Sequence, residues 1–144
     1  MRYDRILLAL DFSDSGLSAA RRARDLARKY RASLHVLHVA EYLPPVDSTF
    51  GAVSPFEVDM TAQMIEAGRK RLRHYAEEWG IPENQGRVEV GSPKIEIIRV
   101  AEEIGADLIV VGSHGRHGLG LLLGSTAASV IHHAKCDVLA VRLS

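Results

Sequence analysis

The sequence predicts an α/β fold: one domain built on a doubly wound parallel sheet, with helices on both faces. Three observations predict it. Short apolar runs alternate with helical stretches along the whole chain, in the order βαβαβαβαβ. The clearest runs are continuously apolar, as strands buried on both faces are. Right-handed crossovers between parallel strands then favour helices on both sides.

Each element has its own signal. Arg5–Leu10 (RILLAL) is a continuous apolar run bounded by charge. Asp11-Phe12-Ser13-Asp14 is rich in N-cap residues, and the helix expected after it, Ser15–Tyr30, carries Leu17, Ala20, Ala23, Leu26 and Ala27 at helical spacing. Ser33–Ala40 (SLHVLHVA) reads as the second strand. Glu41–Pro55 holds Pro44, Pro45, Gly51 and Pro55 without periodicity and reads as a loop. Glu57–Trp79 is expected as a long helix with Met60, Met64, Ala67, Leu72, Tyr75 and Trp79 along one face. Arg87–Val90 is a short strand. Gly91-Ser92-Pro93 supplies a turn, an N-cap and a proline at the first helical position, and Lys94–Ile104 continues as helix. Asp107–Val111 (DLIVV) is the clearest buried strand. The glycine-rich stretch Gly112–Gly124 follows, then a helix over Ser125–His133 and a last strand over Asp137–Leu143.

Composition excludes several classes. The 144 residues suit one domain and can bury a sizeable core. Eighteen basic residues balance eighteen acidic ones, so no global field draws the chain to nucleic acid or anionic lipid. Arg21-Arg22-Ala23-Arg24 and Arg69-Lys70-Arg71-Leu72-Arg73 lack aromatic interleaving and read as solvated helix faces. No apolar run approaches the ~20 residues that span a bilayer, and the N-terminus lacks a signal pattern. With Cys136 as the one cysteine, no internal disulfide can form, and the expected compartment is a reducing cytoplasm.

Ligands of doubly wound sheets sit beyond the carboxyl ends of the strands. The glycine-rich stretch leaves the expected fourth strand there. Its glycines allow close backbone approach to an anion, and the helix it enters offers unpaired N–H groups and a positive dipole end. Ser125 and Thr126 add hydroxyls, and Arg116 adds charge. This suits a polyphosphate; the plainer alternative is a tight loop whose glycines merely permit packing. Other motifs fail. There is no Gly-Lys-[Ser/Thr] for a P-loop, and the first strand leads into Asp11-Phe12-Ser13 rather than glycines. Residue 111 is valine, which spoils a nucleophile elbow around Ser113. Val90 and Gly91 stand where a phospho-receiver needs aspartate. Asp11 could accept hydrogen bonds from a ribose or adenine, or could help cap the first helix. His35 and His38 fall on opposite faces of a strand, and His132, His133 and Cys136 lack a further ligand, so no metal site is expected. His114 and His117 could touch phosphate, but solvent-facing loop positions are the plainer reading.

At this point the chain resembles the universal stress protein family, in its ATP-binding branch. The resemblance rests on ILLALDFSDSGLSAARRA, LHVLHV, GSPKIEII and DLIVVGSHGRHGLGLLLGS through CDVLAVR, and so covers essentially the whole chain. The family's loop pattern, G-x2-G-x9-G-[S/T], is met by Gly112, Gly115, Gly124 and Ser125, with the second gap one residue short. Ala9 stands where the family often has proline. The resemblance implies a Rossmann-like, five-stranded sheet in the order 3-2-1-4-5. It implies ATP or another adenine nucleotide as ligand: Asp11 at the ribose or adenine, Val39 lining the adenine pocket, Gly112 near the ribose and α-phosphate, and Gly115, Gly124, Ser125 and Thr126 at the phosphates, which could carry a weakly bound Mg²⁺. It also implies a homodimer through the last strand. Pairing there would cover an apolar edge.

The expected function is therefore a cytoplasmic, nucleotide-dependent regulatory module of the stress response, read by an unknown protein partner. No general base, catalytic lysine or acidic pair marks an enzyme, so hydrolysis would be slow at most. The rivals are a nucleotide-free dimeric adaptor or transporter-regulating subunit, and a nucleotide hydrolase or phosphotransferase using His114 or His117.

Overall fold

A computed structural model describes residues 2–41, 55–114 and 123–143. Strand β1 (Arg5–Ala9) leads into helix α1 (Asp14–Tyr30), and β2 (Ser33–Ala40) follows. Helix α2 (Pro55–Trp79), a single 3-10 turn (Glu83–Gln85) and β3 (Gly86–Val90) come next. Helix α3 (Pro93–Ile104), β4 (Leu108–Gly112), α4 (Ser125–His133) and β5 (Asp137–Val141) complete the order. The five strands form one parallel sheet, β3-β2-β1-β4-β5, with β3 and β5 at its edges.

Alternation along the strands divides the core in two. Ile6, Leu8, Leu10, Leu34, Val36, Leu108 and Val110 face α1 and Leu72 of α2. Leu7, Leu37, Ile109 and Val111 face Ile97 and Val100 of α3 and Ala127 and Val130 of α4. Helix α1 buries Ser15, Gly16, Ala19, Ala20 and Ala23, while Leu17, Leu26 and Ala27 lie at the margin. Small residues let it sit close on the sheet.

The expected face of the long helix holds at Met64, Leu72, Tyr75 and Trp79 and fails at two positions. Met60 and Ala67 are exposed; the inward stripe runs Ile65, Gly68, Leu72, Tyr75, Ala76 and Trp79. Gly68 belongs to it because a Cβ there would lie 3.2 Å from the His38 ring and 3.3 Å from Val88. The helix also begins earlier than expected, at Pro55, as suits proline's preference for the first turn. The rest of the expected loop, 42–54, lies outside the described residues. The last strand ends at Val141 rather than Leu143, because its neighbour β4 ends at Gly112, the partner of Val141. The fourth strand starts at Leu108 because Asp107 turns its carboxylate to the N–H groups of Asp4 and Arg5, at 2.8 and 3.0 Å. None of the helices among the described residues is long and apolar enough to cross a membrane.

Candidate functional site

Three strand ends meet at one level. Ala9 pairs with Leu37 and Leu8 with Val110. Continuing that register sets Asp11 beside Val39 and Ser113, one residue past Gly112. Val39 is half-buried near the end of β2, paired with Glu89 and packed on the face that carries α3 and α4.

Asp11 turns back on the chain. Its Oδ1 accepts from Ser13 N at 3.0 Å and from Ser13 Oγ at 2.6 Å. Ser13 is the N-cap of α1, its Oγ accepting from Gly16 N at 3.0 Å. Asp11 therefore braces the cap rather than forming it, and none of these bonds uses Oδ2. A Cβ on Gly16 would overlap Asp11 Oδ1, so glycine is what lets the carboxylate lie over the helix start.

Between them, Phe12 adopts φ 64°, a conformation that costs a bulky residue about 1–3 kcal/mol. Its ring is held by aromatic neighbours. It lies 4.4 Å from the His38 ring and stacks on Tyr75 at 5.7 Å, with the Arg71 guanidinium 4.3 Å above it. His38 is buried, its Nδ1 2.8 Å from the Leu10 carbonyl.

The β4 end is pressed against the start of α1. A Cβ on Gly112 would sit 2.5 Å from Ser15 Oγ and 3.0 Å from the Ser15 carbonyl. The same Oγ accepts from His114 N at 3.2 Å. Buried Ser113 donates its N–H to Val141 O at 2.8 Å, and its carbonyl accepts from Gly124 N at 2.6 Å. Chain leaving at His114 thus returns beside it at Gly124. Gly115, with residues 116–122, lies outside the described residues.

Helix α4 starts at once. Gly124 is its N-cap, without a side chain to cap with, and its first turn holds no acid. Helix α1, by contrast, has the Ser13 cap and Asp14 in its first turn. Among the described residues nothing caps the first N–H groups of α4, at Ser125 and Thr126, which lie at the positive end of the dipole.

His114 corrects the expectation of a solvent-facing loop residue. It is half-buried, with Nδ1 3.0 Å from Ser113 Oγ and Nε2 wholly buried without a hydrogen-bond partner among the described residues. Its anchor, Ser15 of α1, lies 99 residues away in the chain, a contact no local pattern reveals. Ser15 and Phe12 were missed for the same reason, and Ser113 was weighed only as a nucleophile. Among the other described histidines, His74 packs edge-on against Tyr75. His35 lies on the other face from His38 and its pKa is lowered, by burial first and then by Arg5. His132 and His133 are exposed at the end of α4. Among the described residues no group of three or more His, Cys, Asp or Glu side chains could hold a metal.

Comparison with known proteins agrees with this architecture. The model of the universal stress protein family matches residues 2–142. Universal stress protein A homolog 2 of Coxiella burnetii is 39% identical over 142 residues, 98% of this chain and 96% of that protein. Among solved structures, universal stress protein UspA from Lactobacillus plantarum superposes with a TM-score of 0.82 at 23% identity, covering 100% of this chain and 99% of that one. A universal stress protein crystallised in complex with cAMP superposes with a TM-score of 0.63 at 30% identity, with both chains covered in full.

Proposed function

We propose that this chain, which belongs to the universal stress protein family, binds an adenine nucleotide at the carboxyl edge of its sheet and acts as a nucleotide-dependent regulatory module in the stress response. ATP is the first candidate. One observation carries the reading: the uncapped start of α4 is pinned by Gly124 beside the ends of β1 and β4. A phosphate there would meet free N–H donors without an opposing acid. Two features fit such a ligand. Gly112 keeps the strand end free of a side chain, and His114 Nε2 is a buried polar atom lacking a partner. A relative of the same fold is held in complex with cAMP, an adenine nucleotide.

In this reading Asp11 offers its unused Oδ2 to the ribose or adenine, and Val39 lines the adenine side. Gly112 admits the ribose and α-phosphate; Gly115, Gly124, Ser125 and Thr126 hold the phosphates, with Mg²⁺ as their counter-ion. Hydrolysis is slow at most. Strand β5, an edge in the single chain, pairs with its copy in a homodimer, and the setting is cytoplasmic.

The test is chemical. Purified protein is denatured, and the released small molecules are resolved by ion exchange beside a Ser125→Glu variant. An acid in the first turn of a helix favours the fold but repels phosphate. The wild type should release ATP or ADP, and the variant neither, at an unchanged or higher Tm. A wild type that is empty and also ignores added ATP would hand the molecule to the adaptor reading.

A further inference from the structure

We infer that His114 is the side chain that meets the charged end of the nucleotide, donating through Nε2–H to a phosphate oxygen; this rests on the nucleotide reading above. The residue is fixed on two sides. Its backbone N–H is held by Ser15 Oγ at 3.2 Å and its Nδ1 lies 3.0 Å from Ser113 Oγ. Ser15 belongs to the first turn of α1, and the Ser113 carbonyl holds the N-cap of α4. The imidazole is thereby anchored where the two helix starts converge.

One nitrogen remains. Nε2 is buried and unpaired among the described residues, and an unmade hydrogen bond in a buried place is costly enough that such atoms call for an explanation. The Ser113 hydroxyl can donate to Nδ1, which puts the ring proton on Nε2. The missing partner is then an acceptor. The groups that hold His114 in place are neutral hydroxyls and peptide units, so an incoming anion meets no carboxylate among them. A phosphate oxygen, further favoured by the start of α4, supplies what the ring lacks.

Isosteres separate this role from a structural one. Asparagine can replace Nδ1 toward Ser113 but has nothing at the place of Nε2; glutamine reaches that place with an N–H. ATP and adenosine are titrated calorimetrically into wild type, His114→Asn and His114→Gln, with the Tm of each variant recorded. Loss of a hydrogen bond to a charged group weakens binding at least about tenfold. His114→Asn should lose that much for ATP and nothing for adenosine, and His114→Gln should stay within about threefold of wild type for both, given a replacement donor. ATP binding by His114→Asn equal to wild type would overturn the inference, as would equal losses for ATP and adenosine. A second measurement needs no variant. The side-chain ¹⁵N resonance of His114 Nε2 should carry a proton and move on addition of ATP but not of adenosine; an unmoved resonance in protein saturated with ATP overturns it. A wild type that binds neither compound refutes the nucleotide reading itself, a result distinct from the others.

Discussion

Replacing Gly112 by alanine tests whether the sheet and α1 meet as closely as described. Gly112 lies within β4 with no positive φ, so its backbone already suits alanine. On chain entropy alone the substitution would stabilise by about 0.4–1 kcal/mol. The new Cβ, however, would sit 2.5 Å from Ser15 Oγ and 3.0 Å from the Ser15 carbonyl. Carbon contacts are comfortable at about 3.5–4.0 Å. If Ser15 rotates away, the His114 N–H loses its acceptor, at about 1–3 kcal/mol. The carbonyl contact still has to open, and overpacking of this kind costs about 1–3 kcal/mol. The net expected loss is about 2–3 kcal/mol, or roughly 4–12 °C in Tm for a domain of this size. Urea unfolding at fixed protein concentration reads it, with fluorescence from Trp79, the single tryptophan, half-buried under Arg24. In a Ser15→Ala background the same change should cost only about 1 kcal/mol, because the hydroxyl is gone and the carbonyl alone resists. A loss below about 0.5 kcal/mol for Gly112→Ala, or equal losses in the two backgrounds, would refute the close approach.

Two further predictions concern pH. Burial, then Arg5, lowers the His35 pKa, so the folded state disfavours the charged ring. The stability this contributes is fully present above the ordinary histidine value of about 6.5 and falls as the pH drops below it. His35→Gln should flatten the decline in Tm between pH 7 and pH 5, roughly the range in which histidine titrates, and an unchanged slope would contradict the assignment. Glu103 is held below the usual carboxylate range by its hydrogen bond from Arg87, at 2.9 Å. That contribution is present above the unfolded glutamate value and lost as the pH falls through the lower folded one. Arg87→Met should therefore destabilise at pH 7 and narrow the gap to wild type in acid; a gap that stays constant would show the ion pair to be idle.

The strands were legible because they are continuous apolar runs, and all five begin within one residue of their signals. Strand ends pointed to Asp11 and the glycine-rich stretch, whereas Val39 and Gly112 were singled out by the family resemblance; the parallel register sets the ends of β1, β2 and β4 side by side. What stayed hidden depends on contacts distant in sequence. Gly68 carries no hydrophobic signal, yet it lies in the inward stripe of α2, because His38 and Val88 crowd the place of a side chain. The left-handed turn at Phe12 is invisible in a residue type that avoids it, and is tolerated where Tyr75, His38 and Arg71 grip the ring. His114 looked like a loop residue because its anchor, Ser15 of α1, lies 99 residues away in the chain. Asp11 had two readings from the sequence, and its bonds to Ser13 establish one of them without occupying both oxygens.

The bond from Gly124 N to Ser113 O has an evolutionary corollary. It closes the chain across the glycine-rich stretch, so the number of residues strung between its feet enters stability only as a slowly growing logarithm, about 0.6 kcal/mol per doubling. Lineages can then lengthen, shorten or exchange that stretch without renegotiating the register of β4 and β5. The one-residue deletion against the family pattern is a change of this cheap kind. Such a clasp makes the segment a cassette: its sequence can drift while the scaffold is inherited whole, and an engineer could splice a foreign sequence between the same two residues.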